Sequence, residues 1–215
     1  NVKTDIRRFI FSILKGDFHE IRYQTNHLET VESLQSGVLD SWKNNSYSEE
    51  ITVNGKTLTL TESDDPEDLI LVATDGPSSC QDIFKSSSLN TELLGYALKG
   101  KHKVLLIKNK EGNILARRII RLIIQEDDQG ALKPILMRET LYSKGGNYDS
   151  YLLDAYKKIH QRLDIQDLNK HKGMIIMKDP GVEGYFDAVD SSPIKSTQEY
   201  DEYSYKVTYA HQNDY

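Results

Sequence analysis

The sequence predicts an α+β fold, in which helices pack on a twisted mixed or antiparallel sheet. Two observations support this: apolar residues recur at helical spacing over residues 4–42 and 150–163, and alternating, turn-bounded segments occupy much of the chain after residue 50. The chain has 215 residues, about one and a half times a typical domain. We therefore predict one domain over 1–215, with a helical N-terminal segment (1–45) before an α+β core (50–215).

The N-terminal segment shows two helical patterns. In the first, apolar residues recur every three or four positions and form one stripe of an amphipathic helix: Ile6, Phe9, Ile10, Ile13 and Leu14. Gly16 and Asp17 are expected to interrupt this helix. The second pattern runs from Leu28 to Trp42 and ends at a turn-rich stretch over 43–46.

The core begins with a predicted hairpin over 51–60, because β-forming residues alternate around Asn54-Gly55, a strong two-residue turn signal. An acidic turn over 64–68, a short buried strand over 69–73 and a helix over 89–98 follow. A second hairpin is predicted over 103–107 and 114–124, and a third strand over 132–142. After the helix at 150–163, two more strands are expected at 174–177 and 200–209.

Composition restricts the possible functions. The net charge of −6 argues against a general nucleic-acid binder, whose affinity depends on neutralising phosphates. No apolar run approaches the roughly 20 residues that cross a bilayer, so no membrane span is predicted. Asn1 is not preceded by an initiator Met or a signal sequence, which suggests a fragment or a processed form. The localisation stays open between the cytoplasm and secretion into a host cytosol.

Reactive residues give no strong motif. Cys80 is the single cysteine, which excludes an internal disulfide, and the spacing of the six histidines selects no partner that would activate it as a nucleophile. Packing near a loop is the simpler interpretation of Cys80. The acidic residues over 64–68 lack the spacing and glycine of a calcium loop, so no metal site is predicted.

Basic residues concentrate on the second hairpin. Alternation places Arg117 and Arg121 on one strand face and Arg118 on the other. We expect Lys101, Lys103, Arg117 and Arg121 to form a binding surface for an anionic small molecule or a protein. The alternative interpretation is the solvated face of a sheet.

The order of elements over residues 90–178 resembles the GNAT acetyltransferase fold. The similar stretches are the hairpin from Val104 to Arg118 with Glu111-Gly112-Asn113 in its turn, the strand 134–142, and the helix containing 151–156. The resemblance covers about 90 of the 215 residues. It implies that two central strands and the helix between them hold acetyl-CoA. A fainter resemblance, in 64–69 and Ser79-Cys80-Gln81, is to effector-type proteins of intracellular bacteria.

The family's pyrophosphate loop has the pattern Arg/Gln-x-x-Gly-x-Gly/Ala before this helix. Lys144 matches the first position, Asn147 the first glycine and Asp149 the second, while Gly145 and Gly146 lie two positions early. Backbone N–H groups at such a helix start bind pyrophosphate. A carboxylate there would satisfy those groups itself and repel the diphosphate by about 3 kcal/mol at 5 Å and an effective dielectric constant of about 20.

Two functions follow from these observations. The first is a non-catalytic GNAT-like binding module, without a cofactor, whose partner is a protein or an anionic small molecule. The second is a divergent acetyl-CoA-dependent acetyltransferase in which the resemblance implies Glu139 as the general base and Tyr203 or Tyr205 as the acid. Chemistry at Cys80 is a third possibility.

Overall fold

The computed structural model describes residues 2–79, 82–84, 91–126, 129–167, 173–178, 196–200 and 204–209. The helices are α1 (Val2–Lys15), α2 (Phe18–Tyr23), α3 (Asn26–Leu34), α4 (Val38–Asn44), α5 (Pro66–Leu71), α6 (Thr91–Leu98) and α7 (Asp149–Leu163). The strands are β1 (Ser48–Val53), β2 (Lys56–Ser63), β3 (His102–Lys108), β4 (Ile114–Glu126), β5 (Leu132–Arg138), β6 (Tyr142–Ser143), β7 (Gln166–Asp167), β8 (Gly173–Lys178), β9 (Ser196–Tyr200) and β10 (Ser204–Tyr209).

The N-terminal part of the chain contains the four helices α1 to α4. Gly16, with a φ of +73°, separates α1 from α2, as its position in the apolar pattern predicts. Thr25 caps α3, because its side-chain oxygen accepts a hydrogen bond from the backbone N–H of Leu28 at 3.3 Å.

Both predicted hairpins are present. In the first, Asn54 and Gly55 have φ values of +52° and +75°, the left-handed pair that a two-residue turn between twisted strands requires. The second hairpin joins β3 to β4, and the two strands pair from His102–Arg121 to Lys108–Ile114.

The predicted strand over 69–73 is wrong, because α5 occupies part of that stretch. Asp65 caps the helix by accepting a hydrogen bond from the N–H of Glu67 at 2.7 Å, and Pro66 begins it. The predicted single strand over 132–142 is two strands, β5 and β6, which both pair with β4.

The sheet is curled and almost entirely antiparallel, with the order β1-β2-β3-β4-β8-β10-β9. Strand β5 also pairs with β4, and β7 pairs with β5 in the one parallel contact among the described strands. The 13-residue β4 is the central element. The described chain therefore has the expected α+β class.

Apolar side chains form two buried clusters. The larger cluster brings α3, α4 and α7 against the sheet and includes Leu28, Trp42 and Tyr156. The smaller cluster brings α5 and α6 against β3 and β4 and includes Leu69 and Tyr96. Among the described helices, none has the length and apolar character that crossing a membrane would require.

Candidate functional site

The loop before α7 is already engaged by the protein's own groups. Lys144 donates a hydrogen bond to the carbonyl oxygen of Asp75 at 3.0 Å. Gly145 and Gly146 have φ values of +70° and +88°. A Cβ on Gly146 would lie 2.9 Å from the ring of Tyr148, so this ring packs directly on the glycine.

Asp149 is the first residue of α7 and forms an ion pair. Its Oδ1 lies 2.9 Å from Nη2 of Arg118, a residue that is almost fully buried in the sheet. Asn147 is exposed on the preceding loop. The carboxylate that the sequence places at the helix start is therefore present there, and it has a cationic partner on β4.

Glu139 lies just after β5 and is also paired. Its carboxylate forms a buried salt bridge with Arg121, whose guanidinium lies 3.4 Å from the hydroxyl of Tyr96. Only 3% of the Glu139 surface is exposed, so the carboxylate does not face open solvent. Tyr203 lies outside the described residues, and Tyr205 is described only as a β10 residue paired with Met177 on β8.

The four basic residues of the predicted binding surface are buried. Lys101, Lys103, Arg117 and Arg121 are each at most 3% exposed. The expectation that they lie on an exposed surface therefore needs correction, because Arg121 packs on Tyr96 of α6, Lys103 on Trp42 of α4 and Arg117 on Tyr142 of β6. Their alternation is as predicted: Arg121 meets Tyr96 on α6, whereas Arg118 meets Asp149 on α7.

Internal partners compensate these cations. Lys103 pairs with Glu62 at 3.0 Å, and burial lowers the pKa of Lys103 although the carboxylate opposes this shift. Arg117 donates to the side-chain oxygen of Ser79 at 2.9 Å, and its guanidinium lies over the ring of Tyr142. Lys103 and Arg117 are therefore held by contacts within the fold.

A recess that sequence reasoning missed lies between the N-terminal helices and the end of β2. Its volume is about 460 Å³. Apolar and polar groups share its walls: Ile13, Phe18, Pro66, His19, Ser46, Ser63, Glu62, Asp64 and Asp65, together with Gly16. The recess therefore combines apolar surface with carboxylates, as small binding sites commonly do.

Asp64 connects the recess to the N-terminal helices. Its Oδ2 accepts hydrogen bonds from the hydroxyl of Tyr23 at 2.7 Å and from Nε2 of His19 at 3.0 Å. Nη1 of Arg22 lies 3.0 Å from the same oxygen. Burial opposes ionisation, but the Tyr23 hydrogen bond and the charges of Arg22, Lys103 and His19 lower the pKa of Asp64.

One end of α1 exposes apolar side chains beside this recess. Four residues are 45–79% exposed and form the α1 patch: Ile10, Phe11, Ile13 and Leu14. The small polar Ser12 is buried instead. The part of the predicted amphipathic stripe that is described thus faces outward, and Ile13 belongs to both the patch and the recess wall.

Among the described residues, no cluster of three or more His, Cys, Asp or Glu side chains could hold a metal ion. Cys80 lies outside the described residues, next in sequence to Ser79.

No protein-family model matches the chain, and no curated protein matches it.

Proposed function

We propose that this chain is a non-catalytic binding module that docks a segment of a partner protein on the α1 patch. The exposure of that patch carries the proposal. Ile10, Phe11, Ile13 and Leu14 retain large solvent-facing surfaces, and burying a side chain of this size contributes roughly 1.5–3 kcal/mol when it starts fully exposed. Contiguous exposed apolar surface of this kind is typical of interaction sites.

Charge complementarity selects the occupant. The patch ends at the recess, which contains Asp64 and Asp65, and Asp17 and Glu67 lie next in sequence to residues of its wall. The whole chain has an excess of negative charge. Lys15 lies over the ring of Phe11 in the patch, so the preference for a basic group is confined to the recess. A segment that places apolar residues on α1 and a lysine or arginine toward the recess fits this surface.

The GNAT-like core is part of the same proposal. Strand β5, helix α7 and the short β7 form a β–α–β unit with parallel strands, which supports an origin in that fold. The strands 134–142 and 173–178, expected from the resemblance, do not pair with each other among the described residues; their described portions pair with β4. An effector of an intracellular bacterium is the kind of protein in which we propose such a module to occur.

Selection of peptides tests the docking. We expect a phage-displayed library of random peptides to yield binders with apolar residues at helical spacing and an adjacent lysine or arginine. The variant Ile13→Glu/Leu14→Glu should weaken these binders at least tenfold, because it places charge in the apolar contact. The control Phe84→Glu changes an apolar residue that is outside the α1 patch and 84% exposed. It should leave binding unchanged.

Three outcomes would contradict the docking. They are a selection without enrichment, binders that tolerate the α1 double variant, and a wild-type dimer that the double variant converts to a monomer. The last result would show that a second copy of the chain covers the patch.

The alternative function is a divergent acetyltransferase, favoured by the two left-handed glycines at 145 and 146. We expect calorimetry with acetyl-CoA and with CoA to show no binding, because Asp149 and Arg118 already neutralise each other at the helix start. Binding that Lys144→Ala weakens and Asp149→Gly strengthens would instead establish the enzyme.

A further inference from the structure

The two oxygens of Asp64 have different surroundings. Oδ2 accepts from Tyr23 and His19 and contacts Arg22, so three donors converge on one atom. Among the described residues, none donates a hydrogen bond to Oδ1. The side chain is 25% exposed and lines the recess. Oδ1 of Asp64 is therefore an additional acceptor on a residue that lines the recess.

The contacts on Oδ2 also fix the carboxylate in place. Arg22 is fully buried, and it donates to the backbone oxygens of Asp64, Tyr96, Ala97 and His102. Tyr23 is buried as well. A carboxylate held by such rigid neighbours loses little conformational entropy when a ligand binds, which favours affinity.

The surrounding charges favour a cation. In the recess wall, Glu62 is already compensated by Lys103 and Arg162. Nearby, however, no described cation forms a salt bridge with Asp17, Asp65 or Glu67. Oδ1 of Asp17 is buried without a hydrogen-bond partner among the described residues. Arg22, Lys103 and His19 already act on Asp64, so the preference for a cation comes from the further carboxylates Asp17, Asp65 and Glu67.

We propose that the recess receives a basic side chain, lysine or arginine, of the docked partner segment and that Oδ1 of Asp64 accepts its N–H. This inference rests on the proposed docking, because Ile13 connects the α1 patch to the recess. The apolar wall residues Phe18 and Pro66 cover the methylene groups of the incoming side chain. The recess thereby gives the surface a preference for a positively charged partner residue, whereas the α1 patch contacts the partner through apolar groups.

Small analogues of the partner side chain test this proposal independently of the α1 patch. We propose NMR titration of the full chain with Nα-acetyl-arginine amide and Nα-acetyl-lysine amide, observing the ring resonances of His19 and Phe18. The neutral citrulline analogue should bind at least tenfold more weakly than the arginine analogue. Added salt should weaken both cationic probes, since the recess is open to solvent.

Variants assign the response to Asp64. Asp64→Asn should abolish the discrimination between arginine and citrulline, while the control Asp154→Asn, on exposed α7 surface, should retain it. Because Asp64→Asn leaves Arg22 without its carboxylate and could unfold the chain, intermolecular nuclear Overhauser effects in the wild type provide a second measurement. They should connect the methylene protons of the probe to the rings of His19 and Phe18.

The outcomes separate the two proposals. Equal binding of citrulline and arginine, Overhauser effects to another surface, or an unchanged response in folded Asp64→Asn would overturn the role of the recess. The double variant Ile10→Glu/Leu14→Glu, which changes two exposed patch residues outside the recess wall, should keep the preference for arginine over citrulline. If the cationic probes bind in the recess but no peptide docks on the α1 patch, only the function proposed for the α1 patch is contradicted.

Discussion

His102 is a fully buried base on β3. It is fully buried beside the ring of Tyr96, and neither ring nitrogen has a hydrogen-bond partner among the described residues. Burial lowers its pKa well below the ordinary value of 6.5, and the cations Arg121, Lys101, Lys99 and Arg22 lower it further. The folded protein therefore holds His102 neutral in a range of pH where the unfolded chain binds a proton.

This difference predicts a loss of stability in acid. As the pH falls below about 6.5, the unfolded state gains a proton at His102 that the folded state does not take up, so the free energy of unfolding decreases. One such proton contributes at most about 1.4 kcal/mol per pH unit. His102→Leu should remove this contribution, so its urea-unfolding free energy should depend less steeply on pH between 6.5 and the lowered pKa.

Parallel curves of stability against pH for the wild type and His102→Leu would contradict the assignment. The control His19→Gln changes a histidine whose side chain is 51% exposed. It should leave most of the acid dependence in place.

The basic residues show what alternation alone can predict. The period of two in β4 correctly places Arg117 and Arg121 on one face and Arg118 on the other. Alternation gives no information about which face other elements cover. Burial of Arg121 depends on Tyr96 in α6 and on Glu139 after β5, which are distant in sequence, so the expectation of exposure was wrong.

At the scale of elements, Arg22 and Gly100 join α2 to the end of α6. The guanidinium of Arg22 donates to the carbonyl oxygens of Tyr96 and Ala97 in the last turn of α6, as a cation at a helix C-terminus favourably does. The N–H of Gly100 donates to the backbone oxygen of Arg22 at 2.7 Å. The backbones of the two segments consequently approach very closely at Gly100.

This close approach predicts a large effect of one methyl group. In Gly100→Ala, the new Cβ would lie 2.6 Å from Cδ1 of Tyr23 and 2.8 Å from the oxygen of Arg22, so the segments must separate. We expect a loss of about 1–3 kcal/mol, or more if the backbone contact breaks. Urea unfolding measures it.

Gly112→Ala is the matched control. Gly112 has open space around its Cα, so the added methyl there costs only the left-handed strain at a φ of +83°, about 1–2 kcal/mol. An equal or smaller cost at Gly100 than at Gly112 would contradict the close approach.

Local signals explain which elements could be predicted. The turn Asn54-Gly55 fixes a hairpin through the φ preferences of two adjacent residues, and periodicity was sufficient for α7. A short apolar run such as 69–73 fits either a strand or a helix. The cap at Asp65 and the proline at 66 decide for the helix, and this signal was available in the sequence.

At the scale of the whole molecule, a buried ionic group connects β2, β3 and α7. Glu62 is buried and accepts from both Nη atoms of Arg162, at 2.9 and 3.0 Å, while Lys103 lies 3.0 Å from its Oε1. Lys103 also lies over the ring of Trp42 on α4. Several separate segments therefore depend on one carboxylate.

Removing the charge of Glu62 should lower the free energy of unfolding strongly. Removing the charge of Lys103 in the same variant should restore part of that loss. We expect Glu62→Gln to lower the free energy of unfolding by about 3–5 kcal/mol, because Lys103 remains buried without compensation. Glu62→Gln/Lys103→Met should be less destabilised than Glu62→Gln alone. Chemical denaturation of the two variants measures the difference.

An exposed pair provides the comparison. Glu49→Gln breaks a surface contact with Lys158, which is 50% exposed, and should cost at most about 1 kcal/mol. A double variant that is less stable than Glu62→Gln would show that Lys103 contributes independently of Glu62.

The recess is formed by residues that are distant in sequence, which explains why the sequence does not predict it. His19, Arg22 and Tyr23 lie 41 to 45 positions before Asp64 in the sequence and meet it only in the folded chain. The sequence marks Asp64 as one of several acidic turn residues and gives α1 an apolar pattern. It does not show that the pattern faces outward beside that turn.

The length of β4 has a kinetic consequence. Its pairing with β3 closes only the short turn over 109–113, whereas its pairing with β8 joins residues about 50 positions apart. Loop-closure entropy therefore favours nucleation of refolding at the β3–β4 hairpin, and the strands β8, β10 and β9 join the sheet later. Until β8 pairs with β4, the backbone groups of Gln125 and Glu126 that β8 will occupy stay open, and a strand from another molecule could pair with them. Refolding at low protein concentration should therefore give a higher yield of folded protein.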